Sequence, residues 1–275
     1  MTVTAQRIPS GFSIRRLGEG SDLAVDPNRD TVLGAFRHLV RLARKPVPTV
    51  ALTIDSRIPL ARGLGSSAAA IVAGLTLANH WMGNPFGPED IFREATRLEG
   101  HPDNVAAAIF GGLTLSLPLE DGTVSVLPLP YPRGLKIALA IPSTRVSTEK
   151  ARALLPASIP LAEAARNTAR AMALEHVLLT RRFELLAEAL RDVYHVPYRA
   201  RLIPGFKEVV EAGRRAGAYG VTISGSGPTV LAFHGPGTGS RIGNAMVRAF
   251  ARRRVEARSL SGRIATKGAV ARTLL

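Results

Sequence analysis

Alternating apolar and polar residues near the start of the chain predict β-strands, because strand side chains point to opposite faces in turn. Other segments repeat apolar residues at the spacing of a helix, and Asp30 is placed to cap the first of them. These patterns predict strands over 11–20 and 48–59 and helices over 30–44, 67–80 and 87–100.

The rest of the chain continues the same mixture. Asp103 precedes a short apolar run and is expected to cap a helix there, and Asp121–Gly122 is a typical hairpin turn. The patterns predict strands over 113–119 and 135–142, helices over 159–178, 181–193 and 205–215, and a hairpin over 217–235.

Strands mixed with helices on short connections predict an α+β fold. The most proline-rich stretch, PLPYPRG at 128–134, is the best candidate for a boundary between two halves of the chain. We therefore expect two domains, at 1–132 and 133–275.

Composition excludes several classes of protein. The 275 residues are 46% hydrophobic, enough for a large core, but no apolar run is long enough to cross a membrane and the N-terminus lacks a signal-peptide pattern. The absence of cysteine excludes disulfides, thiolate metal sites and cysteine nucleophiles. We expect a cytoplasmic protein with no membrane partner.

The chain is strongly basic, with 36 Lys and Arg against 21 Asp and Glu and a formal net charge of +15. Such a charge fits either nucleic-acid binding or an anionic small substrate such as a nucleotide. The densest basic run, at 248–258, has near-helical spacing and is expected to form a solvated helix face.

The first candidate site is GLGSSAAA, at 63–70. Its glycines allow backbone N–H groups to turn inward, and the helix behind it directs the positive end of its dipole at the same point. The segment has neither the lysine of a Walker A loop nor the GxGxxG spacing. It is either a phosphate-binding loop or only a turn that enters a helix.

The second candidate is LEGHPDNV, which gathers Glu99, His101, Asp103 and Asn104 within six residues. Glu99 suits Mg²⁺, which takes one or two protein oxygens together with phosphate. Asp103 suits a substrate hydroxyl or amine, or the acceptance of its proton. A capped turn without a ligand is the alternative.

The third candidate is SGSGPTV, at 224–230, where the glycines suit either a hairpin bend or a close approach to a nucleotide. Two arginines in polar or proline-containing turns, Arg152 and Arg199, are candidates for holding a carboxylate. Both arginines also fit ordinary surface positions.

Taken in order, PLARGLGSSAAA, EGHPDN and ISGSGPTVLAF resemble the GHMP small-molecule kinases. Within them, EGHPDNVAAAIFGGL, STEKARALLP and PYRARLIPGF are most similar to homoserine kinases, and the likeness runs from about residue 11 to the end. The resemblance implies an N-terminal ribosomal-protein-S5-domain-2-like domain that binds ATP. It also implies a C-terminal ferredoxin-like α/β sandwich domain.

The resemblance further implies phosphorylation of L-homoserine by ATP with Mg²⁺, on the route to threonine. The sequence does not settle the oligomeric state, and a homodimer is expected only as the general default. The resemblance assigns Ser67 and Glu99 to the metal, and Asp103 and Arg199 to catalysis. Substrate contacts are implied for His101, Asp103, Asn104, Thr148, Arg152 and Arg199. ATP contacts are implied for Pro59, Leu60, Ala61, Arg62, Gly63, Leu64, Gly65, Ser66, Ser67, Ala68, Ala69, Gly225 and Gly227.

One feature of the family is missing. These kinases open with P-x-S-x-N-L-G-x-G-F-D, whereas RIPSGFSIRR at 7–16 has no Asn-Leu-Gly. We expect an N-terminally short chain, either by a misplaced start or by real loss of the motif. A real loss would remove an inner strand and one wall of the pocket. Two alternatives stay open: a GHMP kinase with another alcohol acceptor, and an inactive homologue that binds nucleic acid.

Overall fold

The computed structural model describes residues 1–274, which form two compact units. Unit 1 contains residues 1–60, 65–129 and 265–274, and unit 2 contains residues 61–64 and 130–264. In contrast to the division expected at 132, the last described residues belong to unit 1. The reason is backbone pairing: Gly112 N–H donates to Ala265 O at 2.7 Å and Ala269 N–H donates to Ala108 O at 2.8 Å. The predicted domain bounds themselves stay a prediction, since compactness alone does not define an independently folding domain.

Unit 1 contains a three-stranded sheet in the order β1-β3-β2, in which β3 is antiparallel to β1 and parallel to β2. A separate antiparallel pair, β4 and β5, forms the hairpin predicted around Asp121–Gly122. The strands are β1 (Thr2–Arg7), β2 (Phe12–Gly18), β3 (Val50–Ser56), β4 (Leu113–Pro118) and β5 (Val124–Leu129), and the helices are α1 (Thr31–Leu42), α2 (Ser66–Trp81), α3 (Pro88–Glu99) and α4 (Asp103–Phe110).

The core of unit 1 lies between its sheet and the close pair α1 and α2. Asp30 caps α1 as predicted, since its carboxylate accepts the Leu33 N–H at 2.9 Å. A Cβ on Gly74 of α2 would come within 2.3 Å of Val32 O on α1, so a glycine is required at this contact. The close approach packs the middle of α2, the helix that follows the glycine loop, tightly against α1.

Two expectations for unit 1 are corrected. Asp103 does not cap α4: Pro102 already has helical dihedrals, so Asp103 is the first residue of the helix and its carboxylate turns to His101 and to Asn104 N–H. Residues 2–7 were not predicted as a strand, yet all six pair with β3, opposite residues 50–55. The central strand is therefore paired on both sides.

Unit 2 contains an antiparallel four-stranded sheet in the order β7-β8-β6-β9. Its strands are β6 (Lys136–Pro142), β7 (Gly220–Ile223), β8 (Val230–His234) and β9 (Ala257–Gly262), and its helices are α5 (Thr148–Ala153), α6 (Leu161–Thr180), α7 (Leu186–Ala189), α8 (Val196–Arg199), α9 (Phe206–Arg215) and α10 (Gly239–Arg252). Apolar residues of β6, β8, α9 and α10 form one buried cluster.

Two helices of unit 2 are shorter than predicted. Arg181 adopts a left-handed conformation and ends α6, so the helix expected over 181–193 becomes a 3₁₀ turn followed by the four residues of α7. The basic run at 248–258 is likewise divided, because α10 ends at Arg252 and β9 begins at Ala257. The remaining predicted elements of both units are present, and the α+β class is confirmed.

Candidate active site

The glycine loop leads directly into α2. Gly65 has φ of 68°, a left-handed conformation that favours glycine, and it provides no side-chain cap for the helix. The first N–H groups of a helix have no partner within it, so the backbone at Ser66 and Ser67 suits an anion such as phosphate. The helix confirms the element predicted after the loop, and the phosphate role stays a prediction.

A chain of polar side chains surrounds this helix start within unit 1. Ser67 Oγ donates to Glu99 Oε2 at 2.7 Å, and the other oxygen of Glu99 lies 3.6 Å from His101 Nε2. His101 Nδ1 lies 2.5 Å from Asp103 Oδ1. The Glu99 side chain is only 9% exposed, whereas that of Asp103 is 71% exposed. The Glu99 carboxylate is thus nearly buried, whereas the Asp103 carboxylate is accessible to a ligand.

Asn104 borders the same loop. A Cβ built on Gly65 would lie 3.6 Å from Asn104 Oδ1. The structure therefore brings together the unit 1 residues that the sequence assigned to metal and substrate, namely Ser67, Glu99, His101, Asp103 and Asn104. Among residues 1–274, no group of three or more His, Asp or Glu side chains has the geometry of a metal site. Ser67 Oγ and Glu99 Oε2 nonetheless form the sparse oxygen pair that Mg²⁺ accepts when phosphate supplies further ligands.

Sequence reasoning missed a cavity of about 220 Å³ beside the helix start. Asp30 and Arg16 lie on its wall and form an ion pair at 2.6 Å, with the Asp30 side chain 1% exposed. The cavity also reaches Ser66 and Ser67. From the sequence, Asp30 was recognised only as a helix cap, because the cavity and the pairing with Arg16 arise only in the folded chain.

Residues 61–64 of the glycine loop belong to unit 2, where they contact the SGSG turn. Ser224 Oγ donates to Gly63 O at 2.8 Å, and a Cβ on Gly63 would come within 2.1 Å of Ser224 O and 2.7 Å of Gly227 N. Gly63 and Gly227 both have positive φ. The two glycine-rich motifs of the sequence are therefore in direct contact.

The remaining predicted residues of unit 2 divide into two groups. Arg199 Nη1 donates to Gly225 O at 3.1 Å, and Thr148 Oγ1 lies 3.4 Å from Ser226 Oγ, so both residues border the SGSG turn. Arg152 lies one helical turn after Thr148 on α5 and is exposed. Its predicted contact with a substrate stays a prediction.

Arg62 makes structural hydrogen bonds that attach the glycine loop to the sheet of unit 2. Its guanidinium donates to Pro142 O at 2.8 Å and to Ser143 O at 2.7 Å, which holds residues 61–64 against the end of β6. Ser224 and Ser226 were not singled out from the sequence, although they lie inside a motif that was. Their hydroxyl contacts depend on residues distant in the chain.

Comparison with known proteins gives a consistent result. The family model for the GHMP kinases N terminal domain matches residues 30–112, and the model for the GHMP kinases C terminal region matches residues 170–252. A homoserine kinase of Carboxydothermus hydrogenoformans is 40% identical over 262 residues, which is 95% of this chain and 85% of that protein. A homoserine kinase of Gloeobacter violaceus is 46% identical over 74% of this chain and 68% of its own length.

The chain belongs to the homoserine kinases of the GHMP kinase family.

Solved structures agree with the GHMP kinase assignment. The crystal structure of homoserine kinase from Cytophaga hutchinsonii has a TM-score of 0.87 at 28% identity and covers 97% of this chain and 86% of that one. Mevalonate kinase from L. major has a TM-score of 0.69 at 16% identity, with 98% and 86% covered, and shows the fold alone. The GHMP kinase fold expected from the motifs is confirmed.

Proposed function

We propose that the protein transfers the γ-phosphate of ATP to the side-chain hydroxyl of L-homoserine and releases O-phospho-L-homoserine. The observation that carries the proposal is the linked set Ser67, Glu99, His101 and Asp103 at the start of α2, in a chain related to homoserine kinases along most of its length. Phosphoryl transfer needs mainly alignment and charge stabilisation, and these side chains suit both tasks.

Backbone N–H groups at the start of α2 would bind the triphosphate together with the loop residues 59–69, and the family resemblance adds Gly225 and Gly227 to the ATP contacts. The cavity lined by Arg16, Asp30 and Ser66 continues from this point and would take the nucleoside part of ATP. Ser67 and Glu99 would hold Mg²⁺, which neutralises phosphate charge. The oxygen atoms of this pair are already adjacent, and Glu99 also lies near His101.

His101, Asp103 and Asn104 would contact the hydroxyl and ammonium ends of homoserine, and Thr148, Arg152 and Arg199 would contact its carboxylate. Asp103 accepts the Asn104 N–H at 2.9 Å, which orients the carboxylate while leaving most of it exposed. Its first role is therefore to bind and orient the hydroxyl, and proton acceptance is its second. A guanidinium is the natural partner of a carboxylate because it donates two parallel hydrogen bonds.

A panel of acceptors tests the proposal. Purified protein with ATP and Mg²⁺ is assayed for ADP release with L-homoserine, mevalonate, galactose or shikimate. We expect the highest kcat/KM with L-homoserine. A higher kcat/KM with another alcohol would show that the protein is a GHMP kinase with a different acceptor. Binding of RNA without any ATP turnover would favour the alternative of a nucleic-acid-binding homologue.

The homodimer and the cytoplasmic location expected from the sequence stay predictions. Light scattering coupled to size exclusion would test the first, and fractionation of the native host would test the second. Among residues 1–274, every helix is too short or too polar to cross a membrane.

A further inference from the structure

Asp192 organises the turn that leads into α8, the helix that carries Arg199. Its Oδ2 accepts the N–H groups of His195 and Val196, both at 2.6 Å. Its Oδ1 accepts the Tyr194 N–H at 3.0 Å and lies 3.4 Å from His195 Nδ1. One carboxylate thus fixes three consecutive backbone N–H groups, the last of which belongs to the first residue of α8.

The carboxylate is held in its charged form. Burial alone would raise the pKa of Asp192, but the hydrogen bonds from the His195 side chain and from the backbone of Val196, His195 and Tyr194 together lower the pKa to about 2. The side chain is 25% exposed, so solvent competes little for these donors. The turn is therefore well defined at neutral pH.

The same turn is attached to α6 on its other side. Val193 N–H donates to Asn167 Oδ1 at 2.9 Å, and the Tyr194 hydroxyl donates to Ala164 O at 3.3 Å. A helix of only four residues, α8, follows and ends at Arg199. Such a short helix has little stability of its own, so its direction depends on the turn before it.

Arg199 lies at the far end of this arrangement. Its Nη1 donates to Gly225 O, and the adjacent Ser224 contacts Gly63 of the glycine loop. We propose that Asp192 is a positioning residue for Arg199: it fixes the start of α8 and thereby directs the Arg199 guanidinium towards the homoserine carboxylate. The inference rests on the proposed function, because it requires Arg199 to bind that carboxylate.

The test is a double-mutant cycle on the KM for L-homoserine, with Asp192→Ala, Asp192→Asn, Arg199→Ala and the corresponding double variants. Asp192→Ala is expected to raise the KM for homoserine about tenfold or more, with a smaller change in kcat and in the KM for ATP. Asp192→Asn is expected to fall between wild type and Asp192→Ala, because its amide oxygen still accepts backbone N–H groups. In the Arg199→Ala background, Asp192→Ala is expected to add less than about twofold, since the residue through which it acts is absent.

Glu188→Gln is the matched control. Glu188 lies four residues earlier, is itself exposed, and pairs with the half-buried Arg170 and the exposed Arg191, so its loss is expected to leave the KM for homoserine unchanged. If thermal melting shows that Asp192→Ala does not fold, the double-mutant cycle is measured with Asp192→Asn and Arg199→Ala only.

The outcomes separate the two proposals. A wild type that does not phosphorylate homoserine overturns the proposed function and the inference with it. An active wild type in which Asp192 variants leave the KM unchanged, or raise it equally with and without Arg199, overturns the inference and leaves the proposed function standing. An unchanged KM in Arg199→Ala also overturns the inference, because Arg199 would then not hold the substrate.

Discussion

Ser67 and Glu99 place two oxygen atoms 2.7 Å apart at the start of α2, and the Glu99 side chain is almost buried. Glu99→Gln keeps the shape of the side chain but removes the charge that a divalent cation needs. We expect kcat to fall about 100-fold or more, with a higher Mg²⁺ concentration required for half-maximal rate. Steady-state kinetics over a Mg²⁺ titration would measure both.

Glu89→Gln is the control for Glu99. Glu89 lies in the exposed first turn of the same helix, α3, so its loss is expected to leave the rate unchanged. If Glu99→Gln and Glu89→Gln have equal kcat and equal Mg²⁺ dependence, Glu99 is not a ligand of the metal.

Arg199 is the residue of unit 2 with the best-defined position at the SGSG turn. If the guanidinium holds the carboxylate, Arg199→Ala is expected to weaken the binding of L-homoserine by about 2 to 5 kcal/mol. The KM for L-homoserine should then rise by roughly 30-fold or more. The acceptor 3-aminopropan-1-ol has no carboxylate, and its kcat/KM is expected to be the same in wild type and variant. Arg201→Ala, an exposed arginine two residues later, serves as the control. A loss below tenfold with homoserine would count against the role.

Asp192 gives a prediction of stability against pH. Because the pKa of Asp192 in the folded protein, about 2, lies below its ordinary value of 3.8, the charged carboxylate stabilises the fold above about pH 4, and this contribution is lost as the pH falls through about 2. The melting temperature of Asp192→Asn should therefore lie below that of wild type at pH 7, and the gap should narrow by pH 3. A gap that is constant with pH would mean that the charge contributes nothing.

At the residue scale, the sequence predicted which side chains carry the chemistry better than it predicted their contacts. Glu99, His101 and Asp103 lie so close in the chain that their grouping follows from spacing, and Ser67 was added by the family resemblance. The predicted capping role of Asp103 was wrong because Pro102 occupies the capping position and Asp103 is already the first residue of the helix. Asp192 gave no signal, since its three N–H partners become visible only when the turn is folded.

At the element scale, the close contact between α1 and α2 at Gly74 anchors the helix that follows the glycine loop. Gly74→Ala would place a methyl group 2.3 Å from Val32 O, which forces the two helices apart. We expect a loss of about 2 to 3 kcal/mol in the free energy of unfolding. Chemical denaturation would measure it.

Gly34→Ala on α1 is the matched helix variant. Nothing lies within 4 Å of the Cβ that it would add, so the better helix propensity of alanine is expected to stabilise the protein by about 0.5 to 1 kcal/mol. Destabilisation by both substitutions to the same extent would show that helix packing is not the cause.

Element prediction succeeded where the hydrophobic pattern was long and regular, as in α1, α2 and α3. It failed where a local conformation interrupts the pattern. The helix predicted over 181–193 begins at Arg181, which is left-handed, and is replaced by a 3₁₀ turn and the short α7. The unpredicted β1 is a partly exposed edge strand whose partner lies more than forty residues away. Neither feature is available from apolar spacing alone.

At the scale of the whole molecule, the path of the chain was the hardest feature to predict. Residues 265–274 return to unit 1, where a Cβ on Gly268 would come within 1.8 Å of Ile109 O. So close an approach depends on a glycine and on a partner some 160 residues away, and apolar spacing contains neither piece of information. The net charge of +15 by itself does not distinguish nucleic-acid binding from an anionic small substrate. It favours the anionic substrate only when the glycine loop and its polar neighbours are considered with it.

The most direct test of the account is the identity of the product. Purified protein is incubated with ATP, Mg²⁺ and L-homoserine, and phosphorus NMR follows the reaction while ADP is measured in parallel. The account predicts a phosphate monoester of homoserine that appears in one-to-one ratio with ADP and depends on homoserine. ADP release without that ester, or no turnover of homoserine at all, would contradict it.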